Sequence, residues 1–212
     1  MASVPLKPQY GPTLGKLLEP RWRSMAPIAR GGAIALGVGL LALVVGGVLS
    51  LLDASYSRGG SVPFSFNYRG LYHTSPDPGG YVKVARYSGH HLKDSYAVAP
   101  LRLAPYTGSA TGEMPLFAAG YTRALAHRFP GFRLEQEGKT RISSTLGGYD
   151  VRYSAFLGAR KIYGRDVMLL PERRGARQGV AIEMLSSSPA SASNPVGSTG
   201  VLETPLKTFA FG

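Results

Sequence analysis

The sequence predicts an α+β protein in which one N-terminal transmembrane helix is followed by an antiparallel sheet packed with helices. Three observations predict it. Residues 31–52 run for 22 positions without a charge. Between residues 62 and 212, short segments alternate apolar and polar side chains and are separated by Gly- and Pro-rich turns, the pattern of half-buried strands. One segment after Pro115 instead repeats its apolar residues at helical spacing. The expected organisation is a basic tail over 1–30, a membrane span over 31–52, a tether over 53–61 and a globular domain over 62–212.

The apolar run comes first. At helical rise it is about 33 Å long, enough for the hydrocarbon layer of a bilayer. A cleaved signal peptide fits less well, because its apolar stretch is usually about 7–15 residues and ends at a small-residue site. Here Leu52-Asp53-Ala54 follows. Lys7, Lys16, Arg21, Arg23 and Arg30 precede the run, whereas Arg58 and Arg69 are the nearest cations after it. The imbalance predicts a cytoplasmic N-terminus and an extracytoplasmic domain at the cell membrane. Ala35, Gly39, Ala42, Gly46 and Ser50 recur every three or four residues and form a candidate helix-docking stripe. Residues 37–42 also read G-x-G-x-x-A, but no strand precedes them, so the dinucleotide fingerprint is rejected.

Composition bounds the rest. The chain is 44% hydrophobic and 17% charged with a formal charge of +12, which suits a folded domain. Five cations against Glu19 leave +4 on residues 1–52, and the remaining +8 lies beyond them. Such a charge favours anionic lipid or acidic polymer as partner, and the membrane context ranks nucleic acid last. With no cysteine, disulfides, thiolate nucleophiles and Cys-based metal sites are excluded. Arg outnumbers Lys 17 to 7, a balance associated with GC-rich bacterial genomes.

Residues 62–68 alternate as a strand and are expected to form a hairpin with 81–87 across the turn at 75–80. A short strand near 96–103 is expected to break at Pro100. Pro115 is placed as the first residue of a helix to about 128, ended by Pro130-Gly131. Two segments flank Gly138. Residues 149–157, 164–170 and 179–185 are expected to form an antiparallel meander, followed by a Ser/Ala loop and a short C-terminal helix.

The segments Phe64-Ser65-Phe66, Gly148 to Tyr153 leading into Arg165 to Leu170, and Leu206 to Phe211 carry a resemblance in element order. Residues 62–212 resemble the PsbP/Mog1-like α-β-α sandwich domains found on bacterial membrane-anchored proteins. The resemblance implies a packing scaffold and names no catalytic residue.

A search for chemistry finds no G-x-S-x-G, Walker A or H-E-x-x-H motif. His90-His91 with Asp94 is the one cluster of ligand-type residues, and adjacent histidines on a strand point to opposite faces. Solvated loop histidines are therefore expected, with His127 favouring the helix C-terminal dipole and His73 in a turn. Arg160-Lys161 with Arg165, and Arg173-Arg174 with Arg177, are expected on two separate turns, the second as a candidate basic contact patch. The function expected is a non-catalytic accessory or assembly subunit, without cofactor or metal, that docks a membrane or envelope protein. A ligand-binding module lined by Tyr68, Tyr72, Tyr81, Tyr87 and Tyr96 is the alternative, ahead of an enzyme whose site is built from distant loops.

Overall fold

The computed structural model describes Leu36, residues 38–41, 53–104, 110–143, 146–172 and 175–212. The chain divides into two compact units, Met1–Ser50 and Leu51–Gly212. The second holds the strands β1 (Ala54–Arg58), β2 (Phe64–Tyr68), β3 (Tyr72–Thr74), β4 (Val82–Ser88) and β5 (His91–Arg102), then the helix α1 (Ala110–Arg128). After it come β6 (Arg133–Arg141), β7 (Gly147–Leu157), β8 (Arg160–Leu169) and β9 (Gln178–Ser186), a 3-10 turn Gly200–Leu202, α2 (Glu203–Lys207) and β10 (Ala210–Phe211).

The expected membrane span is overturned, and the single-pass placement and orientation go with it. Among the described residues no helix is long and apolar enough to cross a membrane. Residues 31–52 lie outside the described residues except for Leu36 and 38–41, which are helical. The long helix that is described, α1, carries Glu113, Arg123, His127 and Arg128. It buries Met114, Ala118 and Leu125 and exposes its other side, the behaviour of an amphipathic helix on a sheet. The fold class is therefore an α+β domain dominated by antiparallel sheet.

Seven strands form the large sheet in the order β3-β4-β5-β9-β8-β7-β6, and β1-β2-β10 form a second, small sheet. All pairings are antiparallel. The meander β7-β8-β9 is where alternation placed it. The expected hairpin of 62–68 with 81–87 is absent: β2 pairs with β1 and β10, while β4 pairs with β3 and β5. Residues 54–58, read as a tether, form β1. Local alternation tells a strand which face to bury, but not which strand lies beside it.

Each face of the large sheet has its own core. On one, α1 packs Met114, Ala118, Leu125 and Phe129 over Val151, Tyr153, Ile162 and Met168. On the other, Phe64, Phe66 and Phe209 of the small-sheet layer and Leu206 of α2 cover Val84, Tyr96, Val167 and Ile182. β8 and β9 are consequently buried on both sides, without a break from Gly164 to Leu169 and from Gly179 to Ile182, as doubly covered strands are.

Two proline expectations change. β5 runs through Pro100, which pairs with Val180 of β9. β4 reaches only to Val98 on the other side, so no neighbour there asks Pro100 for an N–H. α1 begins five residues before Pro115, so the proline costs one intrahelical bond instead of opening the helix. At Gly164, opposite Tyr153 in the β7–β8 register, an added Cβ would lie 2.2 Å from the phenol ring. The glycine makes room for that ring.

Candidate functional site

Few of the sequence candidates come together. Of the stripe Ala35, Gly39, Ala42, Gly46 and Ser50, only Gly39 is described, and the others lie outside the described residues. Arg173 and Arg174 also lie outside them. Arg177 is paired, its Nη1 reaching Glu113 Oε2 at 2.7 Å and the Ala104 carbonyl. It ties the β9 end to α1. Arg165, grouped in the sequence with an exposed turn, is buried, and its Nε donates to Asp150 Oδ2 at 3.1 Å. Burial lowers its guanidinium and the Asp150 charge opposes that.

The same Asp150 oxygen accepts Arg152 Nε at 2.9 Å. Arg152 goes on to Gln136 and the Ala192 carbonyl, and Arg165 to Thr140 and the Val196 carbonyl. One buried carboxylate thus positions two arginines that pin the loop over the sheet. Asp94 is likewise taken, by Arg86 and by Ser186 Oγ, not by His90 or His91. His73 stands in β3 against the Tyr56 and Tyr68 rings. Tyr68 and Tyr96 are core residues, and Tyr96 donates to the Pro205 carbonyl. Arg58 covers the Tyr81 ring at 3.9 Å. The five tyrosines do not line one pocket. Among the described residues no group of three His, Cys, Asp or Glu side chains gathers to hold a metal ion.

An acidic pair missed at the sequence level lies under α1. Asp166 of β8 faces Glu183 of β9 in register, and the Tyr121 hydroxyl stands 3.0 Å from Asp166 Oδ2 and 3.2 Å from Glu183 Oε1. Burial first, and the Glu183 charge second, push the Asp166 carboxyl well above its ordinary range. Burial and the two carboxylates do the same to the Tyr121 phenol. A phenol has one hydrogen, so the Tyr121 hydroxyl donates to one of the two carboxylates at a time. Among the described residues Asp166 Oδ1 has no hydrogen-bond partner.

Glu183 also accepts Arg128 Nη1 at 3.2 Å, and Arg128 extends to Asp77. Burial disfavours the Asp77 charge, but Lys83 and Arg128 outweigh it and hold the carboxyl below its ordinary range. Arg128 and Glu183 floor an open cleft of about 260 Å³ between the 76–80 turn and Ala97–Pro100 of β5. Its charges are already neutralised by one another.

A different end of the sheet exposes unneutralised groups. The β7–β8 turn presents Phe156 at 42% and Leu157 at 45% exposure, and Leu134 of β6 at 41%. Phe156 N–H donates to the Pro130 carbonyl, and its ring lies over Gly131, whose φ of 62° leaves the chain turned beneath it. Lys161 and Arg160 oppose Phe156 and Leu157 in register, and Arg133 opposes Ser154. Arg133, Arg160 and Lys161 are exposed, and none forms a salt bridge among the described residues.

Fold and site define a sheet-based α+β domain whose buried Arg165 is paired with Asp150 and whose β7–β8 end exposes apolar and basic side chains. No protein-family model matches the chain, and no curated protein matches it.

Proposed function

We propose that this domain is a non-catalytic docking module for another protein, and that the β7–β8 end makes the contact. The observation that carries the reading is the grouping of Phe156, Leu157 and Leu134 with Arg133, Arg160 and Lys161. Scattered exposed apolar residues are ordinary. Here Phe156 and Leu157 point to opposite faces of the strand end, and each is opposed by an exposed cation, Lys161 and Arg160. Aromatic and Arg side chains are the types enriched at protein interfaces. The partner surface that fits is an apolar hollow with acidic edges. A PsbP/Mog1-like reading of the fold belongs to the same proposal, supported by one long helix on one sheet face and a short C-terminal helix on the other.

The test is cross-linking and mass spectrometry on the full chain in its own cells, comparing a Phe156→Ser/Leu157→Ser variant and an Arg160→Glu/Lys161→Glu variant with Lys207→Glu. A stoichiometric partner should be lost in the first two and kept in the third. A partner retained by all three, or the lack of any, removes the reading.

A further inference from the structure

We propose that the chain self-associates through β6, two copies pairing antiparallel about Gly138 so that their sheets join into one. β6 is the last strand of the seven. It is nine residues long, against three in β3 at the opposite edge. A long strand with an open side is a template for another strand, and monomeric proteins commonly guard such an edge with lysines or prolines.

β6 is charged too, but its charges are self-complementary. It reads Arg133-Leu-Glu135-Gln-Glu137-Gly-Lys139-Thr-Arg141. Glu137, Lys139 and Arg141 oppose Val151, Tyr149 and Gly147 of β7, so they share one face. Antiparallel pairing about Gly138 sets Glu137 of each copy opposite Lys139 of the other. Each contact occurs twice and no like charges meet. Pairing about Glu137 would instead oppose Glu137 to itself and Arg133 to Arg141, and pairing about Lys139 would oppose the two lysines. Since like charges directly across a ladder destabilise it, one register is selected. The ladder irregularity between Leu134 and Gln136 takes Glu135 out of the register, so the Glu137–Lys139 pairs carry the charge complementarity.

Gly138 is the independent observation. Its φ is not positive, and an added Cβ would meet nothing within 4 Å. Nothing among the described residues requires a glycine there, although glycine weakens a strand interior. On a two-fold axis it faces itself, where its lack of a side chain lets two backbones close together. Its neighbours Gln136 and Thr140, which would pair across the same seam, are already held by Arg152 and Arg165.

The experiment measures self-association of the full chain by sedimentation across a concentration series. Glu137→Lys and Lys139→Glu should each raise the dimer dissociation constant about tenfold or more, because two attractive pairs become repulsive. An equimolar mixture of the two variants, and the double variant, should both return to wild-type association. Circular dichroism of each variant checks that the fold persists. As the chain has no cysteine, Gly138→Cys should also give an interchain disulfide under mild oxidation, since facing Cα atoms about 4.5–5.5 Å apart suit that bond. Glu203→Cys should not. A wild-type monomer at every concentration, or variants that associate like wild type, overturns the proposal. The Phe156→Ser/Leu157→Ser variant should self-associate normally, which separates this surface from the docking end.

Discussion

Asp166 and Glu183 stand directly opposite each other on adjacent strands, with the Tyr121 hydroxyl between them. Like charges facing across a ladder repel, and a fully buried carboxylate is disfavoured as an ion. Burial and the Glu183 charge together push the Asp166 carboxyl well above its ordinary range.

That shift makes a pH prediction. A carboxyl raised in the fold contributes stability that is complete below its unfolded pKa of about 3.9 and is lost as pH rises through the folded value. The wild-type protein should therefore lose denaturation free energy from this group on the alkaline side of about pH 4. Asp166→Asn keeps a hydrogen-bonding group and removes the titration. It should cost no more than about 1 kcal/mol at neutral pH and flatten the alkaline slope in urea unfolding series. An unchanged slope would rule out Asp166 as its source.

Asp150 makes the opposite prediction for a mutation of similar size. Two arginines share its Oδ2, and Arg165 is buried with it. Asp150→Ala leaves that guanidinium uncompensated and should destabilise by about 3–5 kcal/mol, read from the denaturation midpoint. Proteolysis should then cut first in the loop that Arg152 and Arg165 hold at Ala192 and Val196.

Gly164 should tolerate nothing larger. Gly164→Ala drives a methyl into the Tyr153 ring and should cost about 1–3 kcal/mol. Tyr153→Ala removes the obstruction, so the double variant should be more stable than the two separate losses add up to. A double-mutant cycle measures the difference.

Arg128 bridges Asp77 and Glu183 at the cleft. Asp77, held below its ordinary range, contributes stability above the unfolded carboxyl pKa that is lost as pH falls. Arg128→Ala should weaken this acid-side dependence, seen as a shallower loss of thermal midpoint below about pH 4. Because Asp77 is half-exposed, the effect at neutral pH should be small.

Much of the domain is legible in residues 62–212. Phe64-Ser65-Phe66 and Val180, Ile182 and Met184 carry the period of strands, and Phe117, Tyr121, Ala124, Leu125 and Phe129 that of a helix, of which the fold buries Leu125 and Phe129 and adds Met114 and Ala118. These are local signals, set by where successive Cβ atoms point. The chargeless run at 31–52 was local too, but it tests only length and hydropathy. The long helix described, α1, meets the length and fails the hydropathy. Arg165 showed as one cation near others in sequence, and only the fold brought Asp150 beneath it.

What the sequence determined by itself is therefore the alternation of each segment, the turns between them, the basic surplus and the exclusion of cysteine chemistry. Tertiary structure alone decided that β2 leaves β4 for a second sheet, that Asp166 meets Glu183, and that β6 stands at an edge with Gly138 at its middle. The physical reason is that strand neighbours are chosen by long-range pairing, whose partners lie dozens of residues away and leave no periodic trace in either strand.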